Sequence, residues 1–332
     1  MGALKLYEGP ANEFPATDRQ PTTVPKTLKE AYLENVLASA AVSSSTARSY
    51  LQSLDWWETL TENPPLDELR QADVSAFRAD LAATMPATTA NKHLRSLRTI
   101  LNRLGPASAR YPDAAELVSK IPFVKLLTEA PPVPLHFTDE ELNALWKAAS
   151  KLTWPRVLKI KPAAWWRGVL VLGITYGPRI GDLLGLSRHN LFIGEDRELW
   201  IRWRAQKTGK VHAWPMTEAT CKALDPLNYD PTAFGADPKY RLIPAPKNPA
   251  KLYATFRTWC ALAGIVRPET LSFHALRSTA AKRYDAVQPG LGAVILGHAV
   301  ENTVTNKHYL GDAALADAYD AIRTLTPPTT FL

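Results

Sequence analysis

The chain of 332 residues is poor in cysteine and has only Cys221 and Cys260. Both lie in segments whose apolar spacing predicts amphipathic helices. The sequence contains no CxxC pair and no Cys/His cluster. This scarcity argues against a disulfide framework and against a zinc site, so we expect no metal.

Long apolar runs are also missing. The N-terminus has no apolar segment of the kind that begins a secretory signal, and Asp, Glu, Arg or Pro interrupts every other apolar run before it reaches membrane-spanning length. We therefore expect no membrane span and a cytoplasmic protein.

What the chain has in excess is positive charge. Its formal net charge is +7 and its pI is about 9.3. Such an excess favours an anionic partner, although it is also common on soluble proteins that have none. With 46% hydrophobic and 21% charged residues, the length suffices for two ordinary domains with cores of their own.

The first third of the chain predicts a small helical bundle. Residues 1–26 are rich in Pro, Thr and Asn and lack periodicity, so we expect a flexible arm. Residues 27–105 contain apolar residues at helical spacing, interrupted by caps and prolines, which predicts four short helices. The fourth starts near Thr88 and ends at Gly105.

Basic residues lie beside the apolar stripe of this fourth helix. They are Lys92, His93, Arg95, Arg98 and Arg103. On spacing alone, a solvated basic face is the preferred interpretation. Residues 106–137 then lose periodicity and collect prolines, which predicts a linker with one short helix around Ala114 to Ser119.

The second domain is predicted to span residues 138–332 and to be mainly helical. A strongly apolar helix follows Pro162 and ends at Gly177. The period then changes to two, so residues 191–193, 198–203 and 211–216 are predicted strands of a small antiparallel sheet. The turn between the last two is KTGK, Lys207 to Lys210. The fold class is therefore mainly α with a small antiparallel β-sheet.

One stretch, from Phe273 to Gly311, holds several chemically active side chains. It reads FHALRSTAAKRY, a break at Pro289 and Gly290, AVILGHA and then NKHYLG, and it carries His274, Arg277, His298 and Tyr309; Arg179 lies upstream in YGPRIGDLLGL. His274 and Arg277 are three residues apart in a predicted helix and so share a face. Arginine forks and imidazoles suit a phosphodiester, with Tyr309 as nucleophile.

The motifs RIGDLLGL, HALR, LGHA and KHYLG resemble, in this order, those of the tyrosine recombinases, the phage-integrase and Xer family. The resemblance is specific in the second half and only pattern-level in the first, where it implies a SAM-like core-binding domain that grips double-stranded DNA. Lys92, Arg95 and Arg98 would then contact DNA.

The resemblance also implies an activity. Such an enzyme cleaves one DNA strand through a 3′-phosphotyrosyl bond and rejoins it to a partner strand, which is site-specific recombination of the kind that integrates mobile elements. It needs no ATP, metal or other cofactor, and we expect association with the nucleoid. A type IB topoisomerase, which shares the chemistry, and a non-catalytic DNA-binding accessory protein are the alternatives.

The roles expected of the site residues follow from this chemistry. Tyr309 is the nucleophile, and Arg179 and Arg277 stabilise the charge that develops on the phosphate. His274 and His298 donate hydrogen bonds to the phosphate. Asp182, three residues after Arg179, orients that guanidinium, although a simple surface ion pair is the alternative.

The general acid is expected at the turn of the hairpin. There Lys207 matches the β-hairpin lysine of the family and is preferred to Lys210. A lysine in a turn is otherwise an ordinary solvated residue.

Two features of the C-terminal part leave alternatives open. The interval from His298 to Tyr309 is longer than in most members of the family, and Tyr284 and Tyr319 are rival nucleophiles, though each fits a packing face. Residues 312–325 predict a helix with an apolar side of Leu315, Tyr319 and Ile322. By resemblance it docks on the neighbouring protomer of a synaptic homotetramer, and packing on its own domain is the alternative.

Overall fold

The computed structural model describes residues 27–37, 42–130, 135–156, 160–227, 241–244, 246, 248–266, 271–297 and 312–325. The chain divides into two compact units, Met1–Pro131 and Pro132–Leu332. Within the described ranges, none of the helices is long and apolar enough to cross a membrane.

The first unit is a helical bundle. Its helices are α1 (Leu28–Ala31), continued by a π-helical segment (Tyr32–Leu37), α2 (Ser44–Leu60), α3 (Gln71–Thr84) and α4 (Ala87–Leu104), with a 3₁₀ turn at Leu66–Glu68. A capping box at Thr27 begins α1, and the side chain of Ser43 caps α2. Their apolar sides meet around Trp57, Phe77 and Leu94, all fully buried. The prediction of four helices is confirmed.

The prediction of a short helix at Ala114 to Ser119 is wrong. The backbone N–H of Ala115 donates to the carbonyl of Arg103, and those of Leu117 and Val118 donate to Leu104. The segment thus satisfies the carbonyls that α4 leaves open at its C-terminus, which competes with helix formation of its own. Local periodicity could not reveal this pairing.

The prediction that His93 lies on the basic face of α4 is also wrong. Its side chain is buried, with 2% of its surface exposed, and its Nδ1 lies 3.0 Å from Oγ of Ser53. Burial lowers the pKa of His93. Lys92, Arg95 and Arg98 are exposed as expected.

The second unit is built around a buried helix. Its helices are α5 (Asp139–Ala148), α6 (Pro162–Tyr176), α7 (Ile180–Gly185), α8 (Glu218–Leu224), α9 (Pro249–Leu262), α10 (Phe273–Val287), α11 (Leu291–Leu296) and α12 (Asp312–Thr324); 3₁₀ turns lie at Ala149–Lys151, Arg188–Asn190 and Asp225–Leu227. α6 is apolar on all sides and packs against α8 and α10. It ends at Gly177, whose φ of 57° is in the left-handed region that glycine adopts without strain.

A three-stranded antiparallel sheet flanks these helices. Its strands are β1 (Leu191–Ile193), β2 (Leu199–Arg204) and β3 (Val211–Pro215), in the order β1-β2-β3. In β2, Ile201 and Trp203 are buried whereas Arg202 and Arg204 are exposed, so one face of the sheet covers the core. The predicted strands are confirmed: β1 has the expected bounds, both ends of β2 lie one residue later, and β3 ends one residue earlier.

The C-terminal helix α12 packs on its own unit in this structure of the single chain. Ala318, Ala321 and Ile322 are buried in the core of the second unit. The guanidinium of Arg323 forms ion pairs with Asp196 and Glu198, which follow β1. In the single chain α12 therefore packs on its own unit, which was the alternative, and docking on a neighbouring protomer stays a prediction.

Candidate active site

Four of the predicted site residues line one pocket of the second unit. The pocket has a volume of about 380 Å³, and Arg179, Lys207, His274 and Arg277 all line it. They come from three separate parts of the chain: the start of α7, the β2–β3 turn and the first turns of α10. The fold thus concentrates three basic side chains and an imidazole in one small volume.

Arg179 reaches the pocket because of the break that precedes it. The chain leaves α6 through the left-handed Gly177, passes Pro178 and reaches Arg179, which is the N-cap of α7 with extended backbone angles of −67° and 151°. Since Arg179 is partly exposed, its guanidinium is accessible to a bound anion.

Arg277 is the buried cation of the site, with only 3% of its surface exposed. Its Nη1 donates to the carbonyl of Gly177, and its Nη2 donates to the carbonyl of Leu296 at 2.8 Å. Burial, followed by the charge of Arg179, lowers its pKa to about 10, so it remains charged at neutral pH. The guanidinium is therefore fixed by the ends of two helices, α6 and α11.

His274 lies one turn before Arg277 on α10. Oγ of Ser272 caps this helix and accepts a hydrogen bond from the backbone N–H of His274. Desolvation lowers the pKa of His274, and the nearby charges of Arg277 and Arg179 lower it further. At neutral pH the imidazole is thus neutral and has one donor and one acceptor nitrogen.

The β2–β3 turn carries Lys207 into the pocket. The turn is closed by Ala205 N–H donating to the Lys210 carbonyl at 2.8 Å, and Gly209 adopts a φ of 68°. Lys207 lines the pocket with Arg179, whereas the side chain of Lys210 lies beside Gly297. Lys207 is among the residues that line the pocket and Lys210 is not; the choice of Lys207 as general acid stays a prediction.

Asp182 does not form the contact that its spacing suggested. It is buried, and its Oδ1 accepts a hydrogen bond from the backbone N–H of Gln206 at 2.9 Å. Both Asp182 and Arg179 are in the described part of the chain, and no ion pair joins them there. The reason is that Arg179 precedes the helix with extended backbone, so the three-residue rule for helical neighbours does not apply. Asp182 instead anchors the turn next to Lys207.

Two further predicted residues, His298 and Tyr309, lie outside the described residues. Both rivals to Tyr309 are within them. Tyr284 is fully buried, and its hydroxyl donates to the carbonyl of Thr175. Tyr319 packs its ring against Trp200 and Trp214, at centroid distances of 4.9 and 5.8 Å. Each rival occupies a packing position, as predicted.

Tyr253 and Ser272 also line the pocket and were missed from the sequence. Ser272 could have been found, because a serine just before an apolar helical run is a helix-start signal. Tyr253 carries no such signal: it lies on α9, and its ring contacts Phe273 edge-on at 5.5 Å. Only the packing of α9 against α10 brings it to the site.

The predicted DNA-contacting residues are in the first unit. Lys92 contacts Oε1 of Gln52 at 3.3 Å, and Arg95 forms an ion pair with Glu129 at 2.8 Å. Arg98 follows one turn later on the same exposed side of α4. In the described residues of either unit, no group of three His, Cys, Asp or Glu side chains could hold a metal ion.

A helical bundle followed by a mainly helical unit with a small sheet and a cationic pocket defines the architecture of a DNA strand-transfer enzyme. Family models agree: residues 136–314 match the phage integrase family, and residues 30–104 match the phage integrase N-terminal SAM-like domain. The chain belongs to the phage integrase family and is a site-specific DNA recombinase. The topoisomerase and accessory-protein alternatives are not favoured.

Solved structures share this fold at low sequence identity. A lambda integrase dimer bound to a COC′ core site is 18% identical, with a TM-score of 0.60 over 82% of this chain and 95% of that one. The Tn1549 transposon integrase in complex with a circular intermediate DNA is 18% identical, with a TM-score of 0.61 over 88% and 98%. The XerH site-specific recombinase bound to its difH substrate is 16% identical, with a TM-score of 0.55 over 88% and 81%. No curated protein matches the sequence.

Proposed function

We propose that this chain cleaves double-stranded DNA through Tyr309, holds the broken strand as a 3′-phosphotyrosyl ester and rejoins it to a partner strand. The observation that supports the proposal is the pocket that brings Arg179, Lys207, His274 and Arg277 together. Phosphodiester transfer without a metal needs fixed positive charge around the non-bridging oxygens, a nucleophile and a proton donor for the leaving oxygen.

In this scheme the two arginines stabilise the transition state. Arg277 is held by the carbonyls of Gly177 and Leu296, so its charge is already oriented before substrate arrives. Arg179 is more exposed and closes on the phosphate from the start of α7. A preorganised donor of this kind contributes ~10²–10³ in rate. A tyrosine phenol, with a usual pKa near 10, is a poor nucleophile until cationic neighbours stabilise its phenolate, which is the task proposed for the same cations.

Three residues are proposed to donate hydrogen bonds or to transfer protons: His274, His298 and Lys207. Neutral His274 donates to the phosphate or assists removal of the proton from Tyr309. His298 donates a second hydrogen bond to the phosphate. Lys207, at the turn anchored by Asp182, protonates the 5′-oxygen as the leaving strand departs. The phosphotyrosyl ester conserves the bond energy, so the cycle requires neither ATP nor a metal.

The first unit is proposed to grip the DNA through the exposed side of α4, where Lys92, Arg95 and Arg98 meet backbone phosphates. Recombination joins two sites, each cut by two protomers, so the active assembly is a homotetramer on paired duplexes. The solved lambda integrase bound to a Holliday junction is described as a tetramer. Acting on DNA, the protein is expected in the cytoplasm with the nucleoid.

Trapping the covalent intermediate tests the proposal. On a nicked DNA fragment that contains a site from the flanks of the gene, the wild-type chain should form an adduct that survives denaturation, in the presence of EDTA. Tyr309→Phe should form none and bind the fragment with nearly unchanged affinity. Tyr319→Phe, which removes a hydroxyl from a packing ring, is the matched control and should form the adduct normally. An adduct with Tyr309→Phe, or a metal requirement in the chemical step, would refute the assignment.

A further inference from the structure

Two side-chain amides hold a segment beyond α4 onto the first unit. Oε1 of Gln71, on α3, accepts a hydrogen bond from the backbone N–H of Phe123 at 2.7 Å, and its Nε2 donates to the carbonyl of Phe123 at 2.9 Å. Asn91, on α4, forms the same pair of bonds with Leu127, at 2.7 and 2.9 Å. Val124, between these two points, is buried. Residues 121–129, here called the strap, are therefore fixed to α3 and α4.

The strap ends with a carboxylate on the exposed side of α4. Oε1 of Glu129 lies 2.8 Å from Nη2 of Arg95 and also accepts a hydrogen bond from Nδ2 of Asn91. The hydrogen bond from Asn91, opposed by desolvation and assisted by that from Arg95, lowers the pKa of the Glu129 carboxyl group, so this group is ionised at neutral pH. One carboxylate oxygen thus receives a donor from a buried amide and a donor from a surface cation.

Arg95 is one of the three α4 residues proposed to meet DNA phosphates. In the sequence it lies between the other two, Lys92 and Arg98, and 51% of its side-chain surface is exposed. A guanidinium binds a carboxylate and a phosphate with the same N–H donors. A phosphate that takes the donor now used by Glu129 must therefore displace the carboxylate or share the site with a like charge.

The contact between Glu129 and Arg95 differs from an ordinary surface ion pair. An exposed pair usually loses much of its Coulomb energy to the ordering of two long, mobile side chains. Here Asn91 orients the carboxylate, and the amide of Asn91 is itself fixed by its two bonds to the backbone of Leu127. Glu129 is therefore already in place beside Arg95 before any DNA arrives.

We propose that the strap is autoinhibitory: the carboxylate of Glu129 holds Arg95 in place of a DNA phosphate and is displaced when DNA binds to α4. The inference rests on the proposed role of α4 in gripping DNA. Displacement breaks the contacts of Glu129 with Arg95 and Asn91, which lowers the affinity of the protein for DNA. Phosphates are common to all sequences, so the strap weakens binding to any duplex.

The experiment measures the Kd of the full chain for a duplex of unrelated sequence at one fixed, low salt concentration, together with the melting temperature. Glu129→Gln keeps an oxygen that accepts from Asn91 but removes the charge that holds Arg95. It should bind DNA about three- to fivefold more tightly than the wild type, with a nearly unchanged melting temperature.

Two further variants separate displacement from a general effect of charge. Asp113→Asn removes the same charge from another ion pair of the first unit, that of Asp113 with Arg103, and should tighten binding by less than about twofold. In the double variant, Arg95→Ala should abolish most of the gain that Glu129→Gln produces, because the carboxylate then has no cation to withhold from DNA.

Two results would overturn the inference: a gain from Glu129→Gln no larger than that from Asp113→Asn, and a gain that persists in full when Arg95 is alanine. Should Glu129→Gln fold poorly, Glu129→Ala takes its place with the same expectations. Failure of the underlying function is recognised separately, since Lys92→Ala and Arg98→Ala would then leave the Kd for DNA unchanged. A gain from Glu129→Gln that depends on Arg95 supports the autoinhibitory role of the strap.

Discussion

At the scale of single residues, the two arginines of the pocket differ in how the fold holds them. Arg277 is buried and bonded to the carbonyls that end α6 and α11, so it supports both structure and charge. Arg179 is partly exposed at the start of α7. We therefore expect removal of the two arginines to change the stability of the protein by different amounts, although their proposed roles in catalysis are similar.

We expect Arg277→Ala to lower the free energy of unfolding by about 3 kcal/mol, because two buried carbonyls lose a charged donor. Arg179→Ala should change it by less than about 0.5 kcal/mol. Both should reduce cleavage by ~10²–10³. Urea unfolding and single-turnover cleavage measure the two effects, and equal stability losses would show that the carbonyl contacts of Arg277 matter little.

The choice between Lys207 and Lys210 has its own test. A 5′-bridging phosphorothiolate gives a thiol leaving group that needs no general acid, so it should restore cleavage by Lys207→Ala. It should not restore cleavage by Arg179→Ala, which lacks charge stabilisation instead. Lys210→Ala is the matched control and should cleave the ordinary substrate at nearly the wild-type rate. Equal rescue of the Lys207 and Arg179 variants would remove Lys207 from the acid role.

The sequence predicted residues of the pocket where chemistry and spacing coincide, and missed those set by tertiary packing. His274 and Arg277 share a helix face, so their convergence follows from local geometry. The hydrogen-bond partner of Asp182 did not follow from local geometry, because Arg179 is the N-cap of α7 and Gln206 lies in the β2–β3 turn. Nothing local in α9 marks Tyr253, which reaches the pocket only through the packing of its ring against Phe273.

At the scale of elements, α12 is the helix whose placement was least predictable. Its apolar residues indicated a docking face but could not say on which molecule. In the single chain, Ile322 is 1% exposed in the core of its own unit, whereas Leu315 is 37% exposed. The ion pairs of Arg323 with Asp196 and Glu198 contribute little, since exposed pairs are worth about 0–1 kcal/mol. Apolar burial therefore determines whether the helix stays docked.

Ile322→Ala should accordingly destabilise the isolated protein by about 2–5 kcal/mol, as deletion of a buried aliphatic side chain does. Leu315→Ala, on the same helix, should cost less than about 1 kcal/mol. Chemical denaturation of the monomer gives both values. If Ile322→Ala leaves the monomer unchanged and impairs only the pairing of two DNA sites, α12 docks on a neighbour in solution.

At the scale of the whole molecule, the net charge of +7 comes from the second unit: residues 1–131 hold 14 Lys and Arg against 15 Asp and Glu, whereas residues 132–332 hold 25 against 17. The exposed side of α4 contributes Lys92, Arg95 and Arg98, but Arg95 is already paired with Glu129. A cation engaged by a carboxylate releases fewer counterions from DNA than one that meets a phosphate alone. The three residues should therefore contribute unequally.

Lys92→Ala and Arg98→Ala should each weaken DNA binding for all sequences and reduce the slope of log K against log salt by about 0.9. Arg95→Ala should have a smaller effect. Titrations at several salt concentrations measure the slopes, with Lys222→Ala, whose side chain pairs with Glu218 in the second unit, as the unaffected control. Unchanged slopes for Lys92 and Arg98 would mean that this side of α4 faces solvent.

The division of the pocket among α7, the β2–β3 turn and α10 has a consequence for synthesis on the ribosome. A growing chain that ends before α10 contains Arg179 and Lys207 but lacks the second guanidinium, and Tyr309 is made later still. Under the proposed mechanism, the ability to cut DNA therefore arises only when the domain is almost complete. Prematurely terminated products of this gene should then bind DNA through α4 and be unable to break it.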